Sequence, residues 1–279
     1  MPQDFSVAVV SFPSIRDAAS AAAAVMQAGI PIAAMEIMDE VQMKVVNLSG
    51  TTAPRTWKEL PTLFFKFAGS KASVRENIGQ VQRITKGNRG SNFEFAKDEK
   101  EQKLLWSARK ESLWSMLALR KDGEEVCEFL PFGSPSPQLQ RWEGSLISKR
   151  SFCAVGSTDV AVPFSRLADL IELSKKEMDD LGLFASILGH VGDGNFHESI
   201  IYNRTKPGER EKVEQCVNNM VRRALDMEGT CTGEHGVGWG KKGSLLLEVG
   251  PDTLGVMKAI KRALDPLWIM NPGKIMDLP

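Results

Sequence analysis

Three histidines are the residues of this chain whose type and spacing could do chemistry. His190, His197 and His235 are the only histidines among 279 residues, and they lie in two segments with the composition of turns or loops. A neutral imidazole is a common metal ligand and also the usual general base near neutral pH. The cluster therefore predicts a metal site or acid–base chemistry. A structural histidine is the alternative for each residue taken alone.

A predicted β-hairpin carries the first two histidines. Asp193-Gly194 lies between His190 and His197 and is a strong signal for a two-residue type I′ turn, which needs positive φ at both central positions. That turn would place the two histidines directly opposite each other, on the same face of the hairpin. Because opposed residues have Cβ atoms about 4.5–5.5 Å apart, both imidazoles could bind one ion at about 2.0–2.1 Å.

A glycine-rich loop carries the third histidine, His235, directly after Glu234. Two histidines and one carboxylate with open positions are typical of a catalytic metal site rather than a closed structural one. We predict that one of these two neighbours completes the metal site while the other acts as an acid or base. The ligand types suit Zn²⁺ and Mn²⁺ alike. The alternative is a flexible loop that exposes a glutamate and a histidine.

A layer of strands and helices is predicted to position these loops. Up to residue 119, strand-like runs alternate with helical patterns as β-α-β-α and again as β-α-β-α, which is compatible with two ferredoxin-like halves sharing one sheet. We expect an α/β or α+β layer with helices on one face. The predicted strands are 7–12, 30–38, 60–67, 92–96, 158–162, 183–188 and 198–202. The predicted helices are 15–27, 39–50, 71–86, 100–119, 165–180, 209–227 and 254–264.

Residues 127–156 interrupt this pattern. The segment is rich in proline and serine and shows neither the strand nor the helix period. A structureless loop of about 30 residues is unusual inside a compact domain. We predict an irregular, dispensable insertion at 127–156. It would separate a first half of the domain at 1–126 from a second half at 157–279 that holds the histidine motifs.

The composition excludes several classes of function. Thirty-five basic residues balance thirty-five acidic ones, so no overall charge favours nucleic acid or an anionic membrane surface. No apolar run approaches the roughly 20 residues that a transmembrane helix needs. The N-terminus lacks the pattern of a secretory signal or a transit peptide. Four cysteines without a C-x-x-C pair favour a reducing compartment.

Three motifs resemble those of a known family. They are HVGDGNFH at 190–197, GTCTGEHGVG at 229–238 and NPGK at 271–274. Together they resemble the C-terminal half of the D-lactate dehydrogenase (cytochrome) family, a flavin-linked group that also contains D-2-hydroxyglutarate and glycolate dehydrogenases. The resemblance covers nearly the whole chain, starting at Ser6. It implies an α+β fold: a ferredoxin-like cap domain with an antiparallel sheet and helices, the C-terminal part of an FAD-linked oxidase.

The resemblance also implies a role for each candidate residue. Three residues match the metal ligands of the family: His190, His197 and Glu234. His235 matches the proposed base, which takes the substrate hydroxyl proton while C2 gives hydride to the flavin. Arg109 matches the arginine that binds the substrate carboxylate, with a solvated helix charge as the alternative. Asn271 and Lys274 would lie near the flavin, with a plain helix-terminating turn as the alternative.

The cofactors, partners and location follow from the same resemblance. The cofactors would be FAD and a divalent metal, Zn²⁺ or Mn²⁺. The substrate would be D-lactate or a related small D-2-hydroxy acid, oxidised to the 2-oxo acid, and the electrons would pass to cytochrome c or another acceptor. The location implied is the mitochondrion. The physical logic agrees, since a bound metal lowers the pKa of the substrate hydroxyl and a guanidinium pairs with a carboxylate.

Two features depart from the family pattern. The family carries an N-terminal flavin-binding domain, and nothing in this chain resembles its glycine-rich pyrophosphate loop. The insertion at 127–156 is the second departure. We therefore expect the chain by itself neither to retain FAD nor to oxidise D-lactate. The alternatives are an inactive metal-binding remnant and a metallohydrolase that uses the same His₂Glu site. Flavin binding separates them from an oxidoreductase.

Overall fold

The computed structural model describes residues 4–121, 124–127, 158–203 and 205–277. Their strands are β1 (Asp4–Ser11), β2 (Ala34–Met38), β3 (Thr62–Gly69), β4 (Ser91–Phe95), β5 (Glu124–Cys127), β6 (Val160–Ala161), β7 (Phe184–Gly189) and β8 (Asn195–Asn203). Their helices are α1 (Ile15–Gln27), α2 (Glu40–Ser49), α3 (Lys71–Gly87), α4 (Glu99–Lys110), α5 (Ser112–Ala118), α6 (Phe164–Asp180), α7 (Glu209–Asp226) and α8 (Lys242–Leu264).

The first four strands form one ferredoxin-like unit. Their order in the sheet is β4-β1-β3-β2, and every neighbouring pair is antiparallel. The two β-α-β-α repeats predicted for this region therefore interleave, with β1 from the first repeat between the two strands of the second. They form a single unit instead of two halves. The predicted α+β class with an antiparallel sheet is confirmed.

The strands of the second half extend the same sheet. β2 pairs with β7 through Ile37–Gly189 and Met38–Leu188, and β7 pairs with β8. β8 pairs in turn with β5 and with β6, which gives the order β4-β1-β3-β2-β7-β8-β5. The β2–β7 pairing joins the two halves of the domain. It also brings β2 beside the connection that contains the first histidine.

Helices cover both faces of the sheet, so the expectation of helices on one face is wrong. Ala8 and Val10 of β1 pack in a core with α1, α3, α6 and α7. Val7 and Val9, which point the other way, pack in a second core with α2 and α4. The reason lies in the sequence of β1, because apolar residues at successive positions of a strand make both of its faces apolar. The site described below lies on the α2–α4 face.

Three predicted elements have different bounds in the structure. The predicted helix at 100–119 is two helices, α4 and α5, which meet at Glu111. The predicted helix at 254–264 is the second part of α8, which breaks at Gly250 (φ 77°, ψ 166°). Cys127 belongs to β5 and pairs with β8, so the irregular segment does not begin there. Residues 128–156 of the predicted insertion lie outside the described residues.

The C-terminal part of the chain presents apolar side chains to solvent. Leu247 and Leu264 of α8 are 73% and 81% exposed, and Leu267 beyond it is 78% exposed. In the described part of the chain, no helix combines the length and the apolar content that crossing a membrane requires.

Side chains cap the start of several helices. Those of Ser14, Asp39, Ser70 and Asp98 each accept a hydrogen bond from a backbone N–H in the first turn of the helix that follows. Such a cap satisfies a donor that the helix leaves unpaired and stabilises it by about 1 kcal/mol. Asp39 differs from Asp98 in being fully buried. Among the described residues its Oδ2 has no hydrogen-bond partner.

The burial of Asp39 makes the stability of the fold depend on pH. Burial, together with the carboxylate of Glu40, raises the pKa of Asp39 to about 7, although Lys175 acts in the opposite direction. The folded chain therefore binds this proton more tightly than the unfolded chain does. The resulting stabilisation is fully present below about pH 4 and is lost as the pH rises through about 7.

We expect Asp39→Asn to remove this loss of stability. Asparagine can still cap α2 through its amide oxygen, and Lys175 keeps Glu40 and Asp179 as partners at 3.1 and 3.0 Å. The free energy of unfolding of the variant, relative to that of the parent chain, should rise by about 1–4 kcal/mol from pH 4 to pH 8, at 1.36 kcal/mol per pKa unit. Urea unfolding at both pH values measures the difference. Asp98→Asn, the same change at an exposed cap, is the control, and an equal gain there would contradict the prediction.

Candidate active site and metal centre

The connection between β7 and β8 carries His190 but is not the predicted type I′ hairpin. β7 ends at Gly189, and a short 3-10 turn follows at Val191–Asp193. The carbonyl of His190 accepts hydrogen bonds from the backbone N–H groups of Asp193 and Asn195. Only the second residue of the Asp-Gly pair, Gly194, takes a positive φ, of 73°.

The predicted pairing of His190 with His197 is therefore wrong. The ladder places Leu188 opposite His197, so His190 lies beyond the last paired residues of β7. The imidazoles nevertheless come together, with ring centroids 5.8 Å apart in an edge-to-face arrangement. The chain achieves through a longer connection the convergence that the two-residue turn was expected to give.

Three potential metal-ligand atoms converge at this point. One atom each from His190, His197 and Glu234 lies within 4.8 Å of the other two. Glu234 Oε1 is 3.1 Å from His190 Nε2 and 2.9 Å from His197 Nε2. Donor atoms bound to one ion at about 2.0–2.2 Å lie about 2.8–3.6 Å apart in tetrahedral or octahedral geometry. Both measured separations fit that range.

The other nitrogens of the two imidazoles each face an acceptor oxygen. His190 Nδ1 lies 2.8 Å from Glu36 Oε1, and His197 Nδ1 lies 3.1 Å from the carbonyl oxygen of Thr158. In a neutral ring, these partners place the hydrogen on Nδ1 and leave Nε2 as an acceptor, which at His190 also lies 3.2 Å from Arg109 Nη2. Two lone pairs and a carboxylate oxygen then point at one another, which is the arrangement that a cation stabilises.

The two imidazoles have different electrostatic surroundings. Burial lowers the pKa of His197, which is 3% exposed. The hydrogen bond with Glu36 raises the pKa of His190, although burial and the guanidinium of Arg109 oppose the shift. A neutral His197 is the form that binds a metal ion.

Asp159 holds the loop that carries Glu234. Its Oδ2 accepts hydrogen bonds from the backbone N–H groups of Glu234 and His235, at 3.0 and 2.9 Å. Thr232 Oγ1 and Asn195 Nδ2 also donate to this carboxylate, at 2.7 and 2.6 Å. Asp159 is fully buried. One buried carboxylate therefore fixes the backbone of a predicted ligand and of the predicted base.

The environment of Asp159 strongly favours its charged form. Burial alone would raise the pKa, but the hydrogen bonds from His235 N–H and Thr232, with the charge of Lys241, lower the pKa to about 2. The loop approaches so closely that a Cβ atom at Gly233 would lie 1.9 Å from Asn195 Nδ2. Glycine at this position is therefore a packing requirement of the site.

His235 lies against the ligand cluster. Its ring stacks on that of His197, with centroids 4.9 Å apart and an angle of 12° between the planes. Its Nε2 is 3.6 Å from Glu234 Oε1, and its side chain is 22% exposed. The structure thus brings the predicted base next to the three predicted ligands, at an edge that solvent or a substrate can reach.

Arg109 reaches the same cluster from α4. Its Nε donates to Glu36 Oε2 at 2.9 Å, and its Nη2 lies 3.2 Å from His190 Nε2. The Nη1 group contacts Ser112 Oγ at 3.4 Å. The predicted substrate-binding arginine is therefore beside the predicted metal ligands, and the plain solvated charge is not what the structure shows.

Asn271 and Lys274 lie in the C-terminal segment, next to the loop that follows His235. Lys274 Nζ donates to Asn271 Oδ1 at 2.9 Å and lies 5.6 Å from the ring centre of Trp239. The backbone N–H of Ile275 donates to the carbonyl of Gly238 at 2.6 Å. The structure thus ties the predicted flavin-facing segment to the histidine loop, while the side-chain contacts of the pair are with each other and with Trp239.

Sequence reasoning missed two carboxylates of the site, Glu36 and Asp159. They are 6% and 0% exposed. Each stands in a predicted strand among apolar residues. A charged residue in such a strand is rarely buried unless it is paired, and that signal could have indicated both of them.

The comparisons with known proteins begin with the fold. The chain superposes on 4-ethylphenol oxidase from Gulosibacter chungangensis in its isoeugenol complex with a TM-score of 0.64 at 15% identity, covering 100% of this chain and 55% of that one. The likeness shows the fold alone. A family model described as FAD linked oxidases, C-terminal domain, matches residues 1–129 and 145–275. The chain belongs to this family.

Two relatives carry more specific names. The chain is 45% identical over 274 residues to the mitochondrial D-lactate dehydrogenase [cytochrome] of Kluyveromyces lactis, covering 98% of this chain and 42% of the relative. It is 40% identical over 276 residues to the protein of the same name in Arabidopsis thaliana, covering 99% of this chain and 43% of the relative. The resemblance inferred from the motifs is confirmed. The chain spans less than half the length of these relatives.

Proposed function

We propose that this chain is the substrate-side portion of a flavin-dependent dehydrogenase that oxidises D-lactate, or a related small D-2-hydroxy acid, to the 2-oxo acid. The observation that supports it best is the convergence of His190, His197 and Glu234 beside both His235 and Arg109. The names of the relatives favour D-lactate as substrate, a cytochrome as electron acceptor and a mitochondrial location. The activity belongs to a protein that also provides the flavin-binding portion.

Two residues of this chain would contact the substrate directly. The guanidinium of Arg109 would bind the carboxylate of the hydroxy acid, since a planar fork of donors matches its two oxygens. His235 would take the proton of the substrate hydroxyl, because its ring lies against the ligand cluster and an imidazole accepts a proton near neutral pH. These two contacts would hold the carboxylate and the hydroxyl group of the substrate and so keep C2 in place.

The metal and the flavin supply the remaining chemistry. A divalent ion held by His190, His197 and Glu234 would polarise the substrate hydroxyl and lower its pKa. FAD would accept the hydride from C2. Asn271 and Lys274 are the residues that we assign to its neighbourhood, because their segment hydrogen-bonds the loop that follows His235. Direct hydride transfer would require the residues of the site to hold C2 in a reactive orientation toward the flavin.

The metal site can be tested on the chain itself. We expect purified chain, dialysed against Mn²⁺ or Zn²⁺, to retain about one ion per molecule, since three ligand atoms face one another. His190→Ala, His197→Ala and Glu234→Ala should each weaken binding by about 100-fold or more, because removing a ligand costs at least as much as removing its supporting partner. Elemental analysis and calorimetric titration provide the measurement.

His235→Ala is the matched control for this experiment. It removes a histidine of the same loop, stacked on a ligand, which we do not place among the ligands. It should bind the ion with nearly the parent affinity. Retention of the ion at the parent ratio by all three ligand variants would show that the assignment of the site is wrong.

A further inference from the structure

Glu36 contacts two residues to which the proposed function gives different tasks, the metal-binding His190 and the substrate-binding Arg109. Its Oε1 lies 2.8 Å from His190 Nδ1, and its Oε2 accepts a hydrogen bond from Arg109 Nε at 2.9 Å. We propose that Glu36 is a positioning residue for the reaction. It would hold the metal-binding imidazole of His190 and the substrate-binding guanidinium of Arg109 in one fixed unit. This inference rests on the proposed function.

The place of Glu36 in the sheet explains its reach. It lies in β2 opposite Phe64 of β3, whose ring belongs to the core on the α2–α4 face. The next residue, Ile37, pairs with Gly189 at the end of β7. The carboxylate therefore lies beside the first residue beyond β7, which is His190, and under the helix that carries Arg109.

The first consequence concerns the hydrogen of the imidazole. A carboxylate can only accept at Nδ1, so a neutral His190 carries its hydrogen there and leaves the lone pair on Nε2. Nε2 is the atom that lies 3.1 Å from Glu234 Oε1. Partners of this kind fix the orientation of a metal-binding histidine and raise its basicity as a ligand.

The second consequence concerns the arginine. Glu36 accepts a hydrogen bond from the Nε–H of Arg109, which fixes the plane of the guanidinium. The two terminal nitrogens of Arg109 face His190 and Ser112. A contact at Nε leaves the second hydrogen of each terminal nitrogen for another carboxylate, that of the substrate. Because Glu36 is 6% exposed, its charge needs both of these partners to offset its burial.

Glu36→Gln tests the inference with almost no change in volume. The amide oxygen can accept from one donor, but the amide nitrogen must then face the other donor. We expect either the Nδ1 hydrogen of His190 or the hydrogen bond of Arg109 Nε–H to be lost. Nitrogen-15 NMR of the metal-free chain reports both: the tautomer of each ring at alkaline pH, where the rings are neutral, and the exchange rate of the Nε–H at mildly acidic pH, where base-catalysed exchange is slow. Only three imidazoles need to be assigned.

Metal affinity gives a second, independent readout. We expect Glu36→Ala to bind Mn²⁺ about 10–100-fold more weakly than the parent chain, which is the usual cost of removing the partner of a ligand, and Glu36→Gln to be weakened in the same direction. The matched control is Glu94→Gln. It removes a strand carboxylate that pairs with Arg55 at 2.7 Å, and it should leave Mn²⁺ binding and the tautomer of His190 unchanged.

The outcomes separate this inference from the proposed function. An altered tautomer or a faster Nε–H exchange in a folded Glu36→Gln chain supports the role of Glu36 whether or not the parent chain binds metal. A parent chain that binds no Mn²⁺ or Zn²⁺ argues against the proposed metal site alone. A folded Glu36→Gln chain with the parent tautomer and the parent exchange rate would overturn the inference, even if Glu36→Ala fails to fold.

Discussion

If His235 is the proposed base, its replacement by alanine is expected to lower the turnover of D-lactate by about 10²–10⁴-fold, the usual contribution of a positioned general base. The loss would arise because the other two imidazoles of the site are assigned to the metal ion. The rings of His190 and His197 present their Nε2 atoms to Glu234. The measurement is steady-state reduction of a dye by a chimera in which this chain replaces the matching 42% of the Kluyveromyces lactis relative.

The metal and flavin content of the chimera has to be measured in the samples used for the kinetics. Elemental analysis and the flavin absorbance should give parent values for His235→Ala, because the proposed ligands and the Asp159 hydrogen bonds to the loop backbone remain. Turnover near that of the parent chimera, at full metal and flavin content, would contradict the assignment of the base. A parent chimera that holds both cofactors but oxidises no D-2-hydroxy acid would instead favour an inactive remnant.

The elements that the sequence predicts well are those fixed by nearby residues. Asp39 before an amphipathic run predicts the start of α2, and its side chain does cap that helix. The Asp-Gly pair at 193–194 gave a wrong prediction of the turn because it, too, is only a local signal. It is a statistical signal of local twist, whereas the structure uses Gly194 alone to close a longer turn. The order of the strands has no local signal, since β2 and β7 are separated by about half of the chain.

The residues of the candidate site also divide into those with a local sequence signal and those without one. The residues inside the motifs, His190, His197, Glu234 and His235, could be predicted from their types and spacing. Glu36 could not be assigned to them, because 154 residues separate it from its partner His190. A single sequence indicates that a carboxylate in an apolar strand needs a partner. Which partner it has depends on the pairing of the sheet.

Asp159→Ala should destabilise the chain by about 3–5 kcal/mol, the usual cost of removing one member of a buried charge pair. The carboxylate accepts hydrogen bonds from four groups, three in one loop and one in a strand. Its loss also leaves Lys241, which is 4% exposed and lies 3.9 Å away, without its nearest charge. Urea unfolding measures the loss, and Mn²⁺ titration below the unfolding transition should show weaker binding, because Glu234 is no longer held in place.

Asp265→Ala is the matched control, because it removes the side-chain hydrogen bonds that hold a comparable turn elsewhere in the chain. Asp265 accepts hydrogen bonds from the backbone N–H groups of Ile269 and Met270, at 3.1 and 3.0 Å, and pairs with Lys261. We expect this variant to lose stability while binding Mn²⁺ with the parent affinity, since its turn carries none of the proposed ligands.

Asp159→Asn separates the loss of stability from the loss of metal affinity expected for Asp159→Ala. It keeps one acceptor oxygen but places an amide nitrogen against donors, so metal affinity should fall even where the fold survives. Unchanged affinity in folded Asp159→Asn and Asp159→Ala chains would show that the backbone of the Glu234 loop holds its position without this carboxylate.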